Sequence, residues 1–74
     1  MAKLEQKSIE QYFQEFKVSE KVKEKLLLKI TNIIYERNML VVKQEAETDA
    51  YKKKQLAREV NELETKIGEI IKAN

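Results

Sequence analysis

The sequence contains no cysteine, histidine, proline or tryptophan. Without cysteine and histidine there are no disulfides, no thiol chemistry and almost none of the ligand sets that build structural zinc sites. The absence of proline and the presence of one glycine, Gly68, remove the usual punctuation of turns and the glycine-rich loops that cradle phosphates. No apolar run is long enough to cross a bilayer, and the N-terminus lacks the apolar core and small-residue cleavage site of a secretory signal, so an intracellular protein is expected. Charged residues are abundant at 38%, yet they nearly cancel to a net charge of +2, too little for nonspecific electrostatic binding to dominate. Lysine, glutamate and tyrosine remain as acids and bases. They need a cleft that shifts their pKa values, and 74 residues leave little room for one. A non-catalytic protein without cofactor or metal is expected.

A core this small supplies about 3 to 5 kcal/mol at best, so a chain without disulfide or metal is expected to draw stability from a partner. The only strong periodicity is helical. Ser19 opens a segment with apolar residues at Val22, Leu26, Leu27, Ile30, Ile33, Ile34, Leu40 and Val41. These form two adjacent heptad seams, Leu27, Ile30, Ile34 and Val41 beside Val22, Leu26, Ile33 and Leu40. A stripe that wide touches more than one neighbouring helix. A second segment, from about Tyr51 to Lys72, places Leu56, Val60, Leu63, Ile67 and Ile70 at alternating spacings of four and three, the narrower seam of a coiled coil. Between them QEAETD, residues 44–49, has no large apolar side chain and offers Thr48 or Asp49 as an N-cap.

The fold class read from this pattern is all-α. A docking segment, 1–18, precedes a helical hairpin of two long antiparallel helices, 19–74. The alternative of one continuous helix is disfavoured by length, since globular helices beyond about 25 residues are uncommon. Either the N-terminal segment folds back over the uncovered part of the wide stripe, or two hairpins pair into a four-helix bundle, as a homodimer or with a helical partner; pairing is the preferred expectation.

The N-terminal stretch QKSIEQYF, residues 6–13, supports two readings. Ser8 and Gln11 have the spacing of a capping box, and Ile9, Tyr12, Phe13 and Phe16 share one face of a short helix that could pack on the wide stripe. The same residues fit another pattern, glutamine, two positions, an aliphatic residue, two positions, then two aromatics: Gln6, Ile9, Tyr12, Phe13. In a tight turn with three residues per revolution, Ile9, Tyr12 and Phe13 project together while Gln6 stays clear of them.

This stretch resembles the PIP box, the peptide by which replication and repair proteins bind the sliding clamp PCNA. The resemblance covers eight of the 74 residues. It implies that Tyr12 and Phe13 anchor in a hydrophobic pocket of the clamp, Ile9 completes the plug and the Gln6 amide fixes register. It further implies a small adapter or regulator in the nucleus or the archaeal cytoplasm, with nucleic acid met only indirectly. If the hairpin binds nothing, the same peptide makes the chain a competitor for the clamp. A helix capped by Ser8 would then have to unwind its first turn to dock.

Other candidates are weaker. Lys52, Lys53 and Lys54 with Arg58 form the densest basic cluster, but glutamates flank it and no aromatic platform is interleaved, so a solvated face is expected. Tyr35 and Tyr51 are expected at the edge of the core. Arg37 interrupts the stripe between Ile34 and Val41 and is expected to pair with an acidic residue or to reach solvent. A purely structural coiled-coil module and a small nucleic-acid binder are the competing functional classes.

Overall fold

The structure is a computed structural model and describes residues 5–74; positions 1–4 of the expected docking segment lie outside the described residues. Among the described residues three helices follow one another: α1 (Ile9–Glu15), α2 (Glu20–Ala46) and α3 (Ala50–Lys72). The hairpin of α2 and α3 is the main body, and α1 folds back against it. The molecule is a rod of 43 × 17 × 16 Å, with a long axis set by α2.

Local chemistry explains each boundary. The capping box at the start of α1 is formed: the Ser8 hydroxyl accepts from the Gln11 amide at 3.3 Å, and the Gln11 side chain accepts from the Ser8 amide at 2.8 Å. α1 ends in a Schellman arrangement. The Val18 N–H donates to the Phe13 carbonyl at 2.9 Å and the Lys17 N–H to the Gln14 carbonyl at 3.3 Å, which puts Lys17 in the left-handed region at φ 53°. Ser19 holds the N-cap position of α2 with extended backbone, but its side chain makes no capping bond.

The turn between α2 and α3 needs neither glycine nor proline because two carboxylates do the capping. Glu47 Oε1 accepts from the amides of Thr48 and Asp49, both at 3.1 Å. Asp49 Oδ1 then accepts from the amides of Tyr51 at 2.8 Å and Lys52 at 3.2 Å, which satisfies the first free donors of α3. The chain is thus a hairpin and not one continuous helix.

The core gathers Tyr12 and Phe13 of α1, Leu26, Ile30 and Ile34 of α2, and Ile67 and Ile71 of α3. Val41 and Val60 are buried nearer the turn. The inward face of α2 is therefore 26, 30, 34, 37 and 41. It crosses between the two seams expected from the sequence, and Leu27 is left 42% exposed. A straight α-helix with 3.6 residues per turn drifts against a strict heptad, so over 27 residues the buried stripe moves from one seam to the other. In α3, Val60 and Ile67 are buried as expected, Leu56, Leu63 and Ile70 are half-buried, and Ile71 closes the core. Gly68 faces the ring of Phe16: a Cβ there would lie 3.5 Å from the ring.

Candidate N-terminal interaction site

Residues 6–13 reach the hairpin as a short extended strap followed by α1. The strap is held by Asn38 on α2, whose side-chain oxygen accepts from the Lys7 N–H at 3.0 Å and whose side-chain amide donates to the Lys7 carbonyl at 2.7 Å. Arg37, beside it, donates through Nη1 to the Glu5 carbonyl and to Asn38 Oδ1. One pair of adjacent residues on α2 thus satisfies the backbone of the incoming chain on both sides of Gln6.

Beneath the strap lies a polar node. The Tyr12 hydroxyl donates to Glu64 Oε2 at 2.9 Å, and Arg37 Nε donates to the same oxygen at 2.8 Å. Lys7 Nζ lies 2.8 Å from Glu15, 3.6 Å from Glu64 Oε1 and 5.1 Å from the centre of the Tyr12 ring. Among the described residues Arg37 is the one buried charged residue, only 4% exposed, and Glu64 is its acidic partner, so the expected pairing is observed. Burial pushes the Tyr12 hydroxyl well above the ordinary tyrosine range; the hydrogen bond to Glu64 adds to this and the Arg37 charge opposes it. Among the described residues, every buried side-chain polar atom has a partner.

The four residues singled out by the sequence pattern are placed very differently. Gln6 is exposed and Ile9 is half-buried. Tyr12 has no accessible surface and Phe13 only 6%, with Lys23 Nζ 5.8 Å over the Phe13 ring. The two aromatics point into the chain's own core, and the surface left by the motif is the Gln6 side chain and one edge of Ile9. Ile9 and Phe13 also line an open groove with Glu20, Lys23 and Leu27 of α2.

Tyr35 and Tyr51 are not at the edge of the core: they are 66% and 70% exposed. Lys52, Lys53, Lys54 and Arg58 are solvent-facing, and Lys52 and Arg58 share a shallow surface with Glu47, Glu59 and Glu62, so cations and carboxylates alternate there. Glu64, Asn38 and Lys7 complete the node and were not distinguishable in the sequence. Among the described residues no group of acidic side chains could hold a metal ion, and no helix is long and apolar enough to cross a membrane. No protein-family model matches the chain, and no curated protein or solved structure matches it significantly.

Proposed function

We propose that the chain is a non-catalytic helical interaction module whose N-terminal aromatic helix serves first as the third element of its own core. One observation carries this reading: Tyr12 is fully buried with its hydroxyl bonded to Glu64, itself tied to Arg37. A side chain so placed contributes to stability whether or not anything binds. The hairpin offers outward-facing helix surface for partners, and the described cavities are open hollows on that surface without a convergent acid, base and nucleophile.

The clamp reading is kept as a second proposal because the pattern Gln6, Ile9, Tyr12, Phe13 is complete and Gln6 stands free for recognition. In that reading α1 detaches, Tyr12 and Phe13 leave the core and enter the PCNA pocket, and the chain acts as an adapter or competitor in the nucleus or archaeal cytoplasm. Docking would then carry the cost of opening the node, which lowers the apparent affinity by the fraction of molecules that are open.

Gln6→Ala separates the two. Gln6 is outside the core, so the substitution is expected to change thermal stability by less than about 0.5 kcal/mol. If the clamp reading holds, a pulldown or calorimetric titration with PCNA detects the wild type and loses most of the signal with Gln6→Ala. If the structural reading alone holds, neither binds. Replacing both Tyr12 and Phe13 by alanine is expected to destabilise the chain severely, about 3 kcal/mol or more per aromatic, a loss that the clamp reading without a folded-back α1 would not produce.

A further inference from the structure

The two long helices differ in how they distribute apolar residues. Apart from Tyr51, α3 keeps its large apolar residues on the face turned toward α2, whereas α2 carries a second stripe that the fold leaves uncovered. Leu28 is 89% exposed and Tyr35 66%, and Met39 and Val42 are both more than two-fifths exposed. With Asn32 and Ala46, which are also exposed, they fall at 28, 32, 35, 39, 42 and 46, spacings of four, three, four, three and four. At about 100° per residue this stripe is centred roughly 160° from the buried face of 26, 30, 34, 37 and 41. It is a coiled-coil seam on the far side of the helix. Tyr35 and Met39 also border a shallow hollow with Glu36, Leu40 and Lys43 on the flank of this seam.

We propose that this seam binds a second copy of the chain, with the two α2 helices parallel and in register. This deepens the interaction-module reading and rests on it. Two features select the occupant. The first is Asn32, the one polar residue within the seam, in the position that alternates with Leu28 and Tyr35. Parallel in-register pairing sets the two Asn32 side chains opposite each other, where their amides can exchange hydrogen bonds, and a single such asparagine fixes register in paired helices.

The second feature is charge. In the parallel arrangement Glu24 of each copy flanks Lys29 of the other, twice by symmetry. The next flanking positions pair Thr31 with Glu36 and Asn38 with Lys43, with no like charges. An antiparallel arrangement that uses the whole stripe instead sets Lys29 against Lys43 twice and Glu36 against Glu36. An unrelated helix would have no reason to satisfy Asn32 and both flanks at once. The seam spans about 28 Å at 1.5 Å per residue, or two and a half heptads, so the association is expected to be weak and reversible, with a dissociation constant on the order of tens to hundreds of micromolar.

Sedimentation of the full chain between about 10 µM and 1 mM tests this. A reversible monomer–dimer equilibrium is expected, and the double variant Leu28→Glu, Tyr35→Glu is expected to weaken it at least tenfold with an unchanged helical circular dichroism spectrum, since both side chains lie outside the core. Val42→Cys adds the only thiol in the chain and leaves Asn32 in place on the same seam. In the parallel dimer two such residues meet within the ~7 Å that a disulfide can span, so oxidation is expected to give a linked dimer far faster than Tyr51→Cys, which is exposed off the seam. A monomer throughout the concentration range, or a dimer indifferent to the glutamates, would overturn the proposal. A dimer in which position 42 links no faster than position 51 would overturn the parallel register. If the chain stays monomeric yet binds PCNA through Gln6, self-pairing fails while the interaction-module reading survives.

Discussion

A single carboxylate, Glu64, decides how the N-terminal segment is held, because it accepts from Tyr12 and Arg37 on one oxygen and faces Lys7 with the other. Tyr12→Phe keeps the ring and deletes the hydroxyl, so it is expected to cost about 1–2 kcal/mol at neutral pH, the range for a hydrogen bond to a charged acceptor that retains other partners. The pH dependence follows from the direction of the Tyr12 shift. The folded-state pKa is raised above that of the unfolded chain, near 10, so the stabilisation is fully present below about pH 10 and is lost as the pH rises beyond it. The stability difference between wild type and Tyr12→Phe in urea titrations should therefore be flat to about pH 10 and narrow above it. Arg37→Met should cost more, about 2–3 kcal/mol, because it leaves the Glu5 carbonyl and Asn38 short of a donor. The full penalty of a broken buried pair is not expected, since the Glu64 side chain is one-third exposed and water can compensate it.

At the scale of helices and turns, much of the structure is legible in the sequence, and the exceptions have physical causes. The capping box of Ser8 and Gln11, the Asp49 cap and the burial of Val60 and Ile67 follow from residue type and spacing. The Schellman end of α1 does not, because the left-handed position is filled by Lys17 where glycine would be the signal. Lys17→Gly is accordingly expected to raise stability by about 0.5–1 kcal/mol, measured as an increase in melting temperature. Gly68→Ala is expected to act in the same direction by up to about 1 kcal/mol, since a Cβ there would meet Phe16 at ordinary contact distance and glycine is a poor helix former. The outward stripe of α2 is not legible in the sequence either. Leu28, Tyr35, Met39 and Val42 share a helix with a wide inward stripe, and periodicity alone does not say which of two apolar faces is turned inside. Glu64 was illegible for a simpler reason: it is one of 13 acidic residues, and only the fold brings it beside Arg37 and Tyr12.

For the whole molecule, the third helix completes a core that a two-helix hairpin would leave open. Marginal stability is expected for 74 residues without cross-links, and the aromatic pair of α1 is a large share of what can be buried. The same placement sets the relation between folding and docking: any partner that takes Tyr12 and Phe13 must first open the chain, while a partner on the outer face of α2 need not. Native-state amide hydrogen exchange measures that opening directly. The amides of Phe16 and Val18, which donate to the carbonyls of Tyr12 and Phe13, are expected to exchange within about tenfold of Ile30 and Ile67 in the free protein, because α1 and the hairpin open together. Exchange at those two amides a thousandfold or more faster than in the core of the hairpin would show α1 detached while the hairpin stays folded, and would contradict its role as a structural third helix.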